Sequence, residues 1–269
     1  MQKRTSIASY LIAIVMAVIF LAPLVLAGMT SLKSPQAIVR VLSFPTEIYF
    51  QNYIIAFERM GRSFLNSIAI TTVSVICSIA VGASAAYPLA YARGRGGPFV
   101  YFFLLTGMLV PFQIVQIPLF VLIRSIGLYD TIPGMWLVHT AYAVPFCTFF
   151  LRNFFASVPR SMFEAALIDG CGVVRYFFRL LIPASVSGIA ALAIIQSRSI
   201  WNDLLFAMTL TSSENARPVT VVISGFASSL QVEYGALMAG TLVSVIPVML
   251  SYLLFQKAFV RGLLGSSGR

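Results

Sequence analysis

Six apolar runs, each close to the length of a bilayer-crossing helix, limit the folds open to this chain. A helix crosses a hydrocarbon core of about 30 Å with roughly 20 residues. Runs such as YLIAIVMAVIFLAPLVLAG lack the alternation of apolar and polar residues found in membrane β-barrel strands. The sequence therefore predicts an all-α membrane protein, a single domain over residues 1–269. Its six transmembrane helices are expected at residues 10–28, 64–92, 99–123, 135–151, 180–207 and 235–260.

Composition agrees with a membrane location. Apolar residues make up 59% of the chain and charged residues 10%, and the mean hydropathy is +0.93. Soluble domains carry about 25% charged residues. The first run follows Lys3 and Arg4, as the core of a signal peptide would, but it exceeds the usual core length of about 7 to 15 residues. We expect it to remain as a membrane anchor.

Basic residues are distributed unevenly between the two sets of connections that alternate along a six-span chain. The set that includes both termini holds eleven basic residues and two acidic ones, Glu164 and Asp169. The other set holds six basic and five acidic residues. Because connections rich in Lys and Arg stay in the cytoplasm, both termini are predicted to be cytoplasmic. The basic excess suits anionic membrane lipid, and no basic stripe with exposed aromatic residues suggests nucleic acid.

The chain lacks the residues of common catalytic sites. None of its three lysines follows a glycine, so it has no phosphate-binding loop of the Gly-Lys-Ser/Thr type. His139 is the sole histidine and has no acids at a spacing suited to metal binding or hydrolysis. We interpret it as structural, and the three cysteines as apolar fillers. The prediction is a non-enzymatic chain without a metal or cofactor of its own.

A short polar segment, SVPRSMFEAALIDGCG, lies between the fourth and fifth runs. Ser161 and Glu164 match a capping box, Pro159 suits the residue before a helix, and Gly170 suits a left-handed helix end. These signals predict a helix near residues 161–170. Its two stripes would comprise Phe163, Ala166, Leu167 and Gly170, and Ala165, Ile168 and Gly172. Small residues allow another protein to approach closely; the alternative is an amphipathic helix resting on lipid headgroups.

This segment resembles the EAA loop of ABC importer permeases. Glu-Ala-Ala is followed three residues later by Gly170, and LLIP ends at Pro183. The family's usual isoleucine and leucine before the proline appear here as Leu180 and Ile182, a mild departure. Further stretches that resemble the carbohydrate importers of the maltose type, specifically the shorter, six-span permease of a pair, are NSIAIT, VPFQIVQIPLF, PFCTFFLRNFFASVP, IWNDLLFAMTL and YGALMAGTLVSVIPVMLSYLLFQKAFVRGL.

The resemblance implies a type I ABC importer permease fold with a cytoplasmic EAA coupling helix, in a bacterial cytoplasmic (inner) membrane. The partners it implies are a second homologous permease, two ATPase subunits that carry ATP and Mg, an external or periplasmic solute-binding protein and a sugar substrate. The helix would act as a lever that continues through VVRYFFRLL into the fifth span with few breakers. Residues implied in ATPase coupling are Glu164, Ala165, Ala166, Asp169, Gly170 and Pro183.

Polar and aromatic residues inside the runs are candidates for a substrate pathway, since polar groups in a membrane usually face a cavity or a partner. The polar candidates are Asn66, Gln113, Gln116, Asn202 and Asp203, and the aromatic surfaces suited to a sugar ring are Phe112, Tyr142 and Trp201. The alternative for each amide is a hydrogen bond between helices.

Arg198 departs from the family pattern, in which an apolar or aromatic residue usually stands at this distance before Trp-Asn-Asp. Asn202 lies four residues later, on the same helical face. Our hypothesis is that Arg198 pairs with the companion permease or with an acidic group on the substrate.

Two other functions remain open from the residues alone. A secondary transporter or channel would need ionisable residues along a pathway or internal repeats, and Arg198 with Asp203 is the only such pair inside a run. A membrane scaffold whose helix binds lipid or a partner is the second.

Two further segments have their own interpretations. Residues 211–233 resemble the family's loop that reaches toward the binding protein. The tail FVRGLLGSSGR resembles a tail that touches the ATPases in some relatives, and the alternative is a flexible end.

Overall fold

The computed structural model describes residues 7–40, 42–91, 96–228 and 233–264, and within these ranges the chain is helical, without strands. The N-terminal Lys3 and Arg4, the first half of the turn GRGG and the end of the C-terminal tail lie outside the described residues. The helices are α1 (Ile7–Ser31), α2 (Gln51–Tyr91), α3 (Gly96–Gly107), α4 (Phe112–Ser125), α5 (Ile132–Ser157), α6 (Arg160–Ile168), α7 (Val173–Tyr176), α8 (Ile182–Ala184), α9 (Val186–Trp201), α10 (Leu205–Leu210), α11 (Val219–Ser228) and α12 (Tyr234–Leu264).

Four continuous helices within the described ranges are long and apolar enough to cross a membrane, and two bent pairs raise the number to as many as six. The continuous helices are α1, α2, α5 and α12. Helices α1, α5 and α12 each contain one of the predicted runs, and α2 covers the run 64–92 up to Tyr91, so the all-α, multi-pass prediction is confirmed. The predicted bounds are too short for α2, which begins at Gln51 rather than near residue 64. Its first turns carry Glu58, Arg59 and Arg62, which lower the hydropathy but are good helix formers.

The third and fifth runs are broken, which corrects the expectation of one helix each. Helices α3 and α4 meet at 91°, and α4 begins directly after Pro111. Proline lacks an amide donor and disfavours helical geometry in the residue before it, so α3, which ends at Gly107, does not continue through Pro111 into α4. In the fifth run, residues Val173–Ala184 and Val186–Trp201 meet at 74°. Ser185, with φ −103 and ψ 9, stands at that break.

The described chain forms two compact units. One contains the residues up to Phe64 together with Val221–Ile246, and the other contains Leu65–Thr220 together with the residues from Pro247. Helices α2 and α12 contribute residues to both units.

Hydrogen bonds from α2 organise the first unit. Asn52 is buried and its amide donates to the carbonyl oxygens of Ser31 at 2.9 Å and Lys33 at 2.8 Å. The Lys33 ammonium, also buried, donates to the carbonyl of Arg40 at 2.8 Å. A buried charge is costly unless it is hydrogen-bonded, so these bonds define the path of the segment that joins α1 to α2.

Close helix contacts build the core of the second unit. A Cβ added at Gly82 of α2 would lie 2.5 Å from the Cβ of Cys147 in α5, so only glycine allows this approach. Cys147, Leu151 and Phe155 of α5 are fully buried there. They pack with residues of α2, α6 and the segment after α7 into one apolar cluster. This cluster holds α6 against the ends of α2 and α5.

The turn between α4 and α5 is tied to the segment after α10 by Asp130. Its backbone has φ 58, a left-handed conformation that aspartate tolerates better than most residues. Its carboxylate accepts the backbone N–H groups of Ser212 at 2.8 Å and Ser213 at 3.0 Å. Burial alone would raise the pKa of Asp130, but these hydrogen bonds outweigh it and lower that pKa below its ordinary value.

Candidate functional site

The polar segment between α5 and α7 forms α6, and its start differs from the prediction. The helix begins at Arg160, directly after Pro159, and no side chain caps it. The capping-box prediction is therefore wrong: Ser161 lies inside the first turn, where its hydroxyl cannot occupy the cap position. The Glu164 carboxylate instead lies 3.4 Å from Nε of Arg160, an exposed pair one turn apart. Pro159 is the residue before the helix, as predicted.

The end of α6 is the predicted left-handed glycine. Gly170 has φ +73, and its N–H donates to the carbonyl of Leu167 at 3.1 Å. The N–H of Cys171 donates to the carbonyl of Ala166 at 2.8 Å. These two bonds form a Schellman motif, which satisfies the last carbonyls of a helix and turns the chain sharply. The sequence Asp-Gly-Cys-Gly therefore stops α6 and redirects the chain into α7.

The structure does not divide α6 along the two predicted stripes, because Leu167 and Gly170 of the first stripe are exposed. Ala166 is buried, and Phe163 and Met162 pack against the apolar core of the second unit. The other side, here called the exposed face of α6, consists of Glu164, Ala165, Leu167, Ile168 and Asp169. Ile168 is 87% exposed and Leu167 is 47% exposed. An apolar surface rimmed by two carboxylates is suited to bind another protein, since contiguous exposed apolar groups mark interaction sites.

A set of aromatic rings behind α6 was not found from the sequence. This ring cluster consists of Tyr87 and Tyr91 of α2, Phe163 of α6, Tyr176 of α7 and Phe177. The ring of Phe163 lies 4.9 Å from that of Tyr176 and 5.1 Å from that of Tyr91, between ring centroids. The signal in the sequence is the spacing of Tyr87 and Tyr91, one helical turn apart. Their partners lie more than 70 residues away, so local periodicity does not indicate them.

The sequence suggested a lever with few breakers from α6 into the fifth span, and the structure shows where this connection is interrupted. Residues Phe177–Leu181 form a π-helical turn between α7 and α8. Pro183 lies exposed in α8, and the 74° break at Ser185 follows. Such turns have wider hydrogen-bonded rings than an α-helix and often occur at functional positions. The connection therefore contains two local irregularities before the helix α9 begins.

Among the pathway candidates, Asn66 is engaged in hydrogen bonds within the chain. It is buried, and its amide donates to the carbonyls of Glu214 at 2.9 Å and Arg217 at 3.1 Å. The neighbouring Ser67 hydroxyl accepts the N–H of Val219 at 2.8 Å. Together they anchor residues 214–219 to α2.

Asp203 is directed toward His139 and α10. Its carboxylate accepts the N–H of Ala207 at 3.1 Å and lies 3.8 Å from Nε2 of His139. His139 is buried and meets the ring of Phe206 edge-on, with centroids 5.9 Å apart. The backbone carbonyl of Asp203 accepts the hydroxyl of Thr220 at 2.7 Å. The Asp203 carboxylate thus binds the first turn of α10, a role that the isolated sequence did not indicate.

Aromatic candidates gather beside α10. The rings of Phe112, Tyr142 and Phe206 lie 5.5–6.2 Å apart between centroids. Tyr142 and Phe206 line an otherwise aliphatic cavity of about 440 Å³ between α4 and α5. Trp201 is buried and does not present a free ring face. Gln113 is exposed, and Nε2 of Gln116 is buried without a hydrogen-bond partner among the described residues.

Arg198 lies in the last turn of α9 with an exposed side chain. The Asn202 amide donates to the backbone carbonyl of Arg198 at 2.8 Å, so the expected contact between these residues does not involve the guanidinium. Within the part of the chain that the structure describes, no carboxylate pairs with Arg198, because Asp203 is directed to His139.

The chain is similar to known transport proteins. Residues 78–265 match the family described as binding-protein-dependent transport system inner membrane component. The chain is 35% identical to a diacetylchitobiose uptake system permease protein of Streptomyces coelicolor over 261 residues, which covers 95% of this chain and 86% of that protein. It is 31% identical to a melibiose/raffinose/stachyose import permease protein of Bacillus subtilis, covering 96% and 94% of the two chains.

A solved structure has the same fold over nearly the whole length. It is a chain of a bacterial ABC transporter involved in the import of the acidic polysaccharide alginate, with a TM-score of 0.81 and 25% sequence identity. The superposition covers 96% of this chain and 100% of that chain.

Proposed function

The chain belongs to the binding-protein-dependent transport system inner membrane component family of carbohydrate ABC importer permeases, and we propose that it is one of two permeases forming the translocation pathway of an ATP-driven importer of sugars or oligosaccharides. Two ATPase subunits with bound ATP and Mg would supply the energy, and an external binding protein would deliver the sugar. Relatives whose names specify oligosaccharides support this substrate class. The lack of a phosphate-binding loop in this chain agrees with ATP hydrolysis on separate subunits.

The exposed face of α6 carries the proposal that this chain couples to an ATPase. It combines exposed Leu167 and Ile168 with the carboxylates of Glu164 and Asp169. Apolar side chains of this size supply binding energy when a partner covers them, and a carboxylate at their edge suits an arginine of that partner. Ala165 lets the partner approach closely. The other three residues would support α6 rather than contact the partner. Ala166 packs against the core, Gly170 forms the left-handed end of the helix, and Pro183 lies in the connection to α9.

Charge reversal at Glu164 tests this docking. The intact importer would be purified through a tag on this chain, and the ATPase subunits retained with it would be quantified for Glu164→Lys and for Glu58→Lys. Glu58 is an exposed glutamate of α2, so the same reversal there is the matched control. We expect Glu164→Lys to lower retention about tenfold, as expected for loss of a charged interface contact of about 1.4 kcal/mol. Retention equal to that of Glu58→Lys would contradict the proposal.

We also propose that the side containing both termini and α6 is cytoplasmic. That side carries eleven basic residues against two acidic ones, which is the distribution that retains connections in the cytoplasm. Residues 211–233 would then face the binding protein. Within this segment, residues 229–232 lie outside the described residues. Both compact units would act as one permease domain over residues 1–269.

For the pathway, we propose that Arg198 meets an anionic group outside this chain. Its guanidinium is exposed at the end of a membrane helix and has no carboxylate partner within the described chain. Facing lipid would be costly for a charged side chain. The anionic group is a carboxylate of the companion permease or of the substrate. Gln113, Tyr142 and Asn202 are exposed polar or aromatic residues suited to line the same pathway.

A further inference from the structure

Two physical connections lead from α6 into the membrane helices of the second unit. One is the chain itself, which runs through α7, the π-helical turn and α8 to α9. The other is lateral, through the ring cluster into α2. The two connections share Tyr176 and Phe177, and they differ beyond these residues: the backbone toward α9 is interrupted, whereas the rings pack directly against α2.

The connection along the chain departs from α-helical geometry at several points. After the left-handed Gly170, Gly172 is extended, with φ −66 and ψ 157. The π-helical turn Phe177–Leu181 and the 74° break at Ser185 follow within 13 residues of Gly172. Each departure from α-helical hydrogen bonding is a place where a helix bends. A rotation of α6 would therefore be absorbed in part before it reached α9.

The lateral connection is densely packed. The ring of Phe163 contacts Tyr91 of α2 and Tyr176 of α7, and Tyr176 is fully buried, with 0% of its surface exposed. The hydroxyls of Tyr91 and Tyr176 lie 3.3 Å apart. Tyr87 adds a ring contact to Phe177 at 5.2 Å and donates its hydroxyl to the carbonyl of Val173 at 3.3 Å. Close-packed interiors have low compressibility and transmit displacement.

From this contrast we infer that the ring cluster carries movement of α6 into α2, with Phe163 as the positioning residue through which α6 acts on Tyr91 and Tyr176. The inference rests on the proposed function, because it assumes that an ATPase moves α6. It adds the direction in which that movement travels. Helix α2 receives it because α2 continues as one helix from Tyr91 back to Gln51, across Pro88.

The test is the amount of sugar imported per ATP hydrolysed by the reconstituted importer. We expect Phe163→Leu and Tyr91→Leu each to lower this ratio about threefold while ATPase retention is unchanged, because the exposed face of α6 is intact. Since both rings act in one connection, the double variant should resemble either single variant rather than multiply to about ninefold. Phe178→Leu is the matched control: Phe178 is exposed, and its ring contacts Phe177, at 4.9 Å between centroids, but neither tyrosine of α2.

A conservative variant separates positioning from folding. Tyr176→Phe keeps the ring and removes only the hydroxyl contact with Tyr91, so the ratio should stay within about twofold of wild type, since a neutral hydrogen bond contributes about 1 kcal/mol or less. An unchanged ratio in both leucine variants, a multiplicative double variant, or an equal loss in Phe178→Leu would overturn the inference. Reduced ATPase retention in the leucine variants would also overturn it, since the rings would then serve docking. A wild-type chain that retains no ATPase would instead refute the proposed function.

Discussion

At the residue scale, several polar side chains act by holding the backbone of distant segments. Asn52 bonds to main-chain groups between α1 and α2, and Asn66 to those of residues 214–217. Asp130 bonds to those of residues 212–213, and Asp203 to the start of α10. In a membrane protein, unpaired backbone groups are costly in the hydrocarbon region and at its edges. Of these residues, Asn66 and Asp203 were pathway candidates on sequence grounds, and the structure shows which backbone segments they stabilise.

Asp130 should make stability depend on pH. Its pKa in the folded chain lies below the ordinary value of 3.8, so its stabilising effect is complete above that value and is lost as the pH falls through the folded pKa. In Asp130→Asn this part of the pH dependence should disappear, while the left-handed backbone remains acceptable to asparagine. Thermal unfolding in detergent at pH 7 and at pH values below 4 measures the difference. Glu47→Gln, at an exposed glutamate, is the control; identical pH profiles for the Asp130 variant and wild type would contradict the prediction.

Arg198 should matter through its charge. If its anionic partner belongs to the substrate, Arg198→Gln should lower uptake of an acidic oligosaccharide about tenfold and leave a neutral one within about twofold, which corresponds to a desolvated charge pair of about 1.4 kcal/mol or more. Arg198→Lys should retain part of the activity, since it keeps the charge but loses the planar fork. Equal losses for both sugars would assign the partner to the companion permease. Unchanged uptake of both sugars, with unchanged assembly of the two permeases, would contradict an anionic partner.

At the scale of elements, α6 shows which helix signals can be read locally. Its end was predicted correctly because the left-handed Gly170 and its two hydrogen bonds involve only neighbouring residues. Its start was not, because Pro159 shifted the first turn so that Ser161 is no longer the cap. The break between α3 and α4 lies at Pro111, a residue that is visible in the sequence. The angle of 91° at this break depends on how the two helices pack, so it is not visible in the sequence.

The left-handed end of α6 gives an element-scale prediction. Gly170→Ala should destabilise the chain by about 1–2 kcal/mol, because a Cβ is disfavoured in that backbone conformation even though the space around it is open. Gly172→Ala is the matched control: it lies two residues away, its added Cβ also meets open space, and its φ of −66 suits any residue. Thermal unfolding in detergent compares the two variants. Equal midpoints would show that α6 does not end in the left-handed turn.

At the scale of the whole molecule, the chain is a multi-pass permease whose described residues form two compact units, with up to six spans. The uneven distribution of basic residues between its connections predicts the orientation of the whole chain in the membrane, not a property of either unit alone. The exposed face of α6 and the exposed Arg198 are surfaces that the isolated chain leaves uncovered. Both are suited to neighbouring subunits or substrate, as expected for one permease of a multi-subunit importer.

The apolar runs, the end of α6 and the family relationship could be read from the residues, because length, apolar composition and turn chemistry are local properties of a chain. Tertiary structure was needed for the ring cluster, the orientation of Asp203 toward His139 and the anchoring of residues 214–217 by Asn66. Each joins segments separated by more than 60 residues. Such contacts form only when helices have packed, and packing depends on how all side chains fill space together.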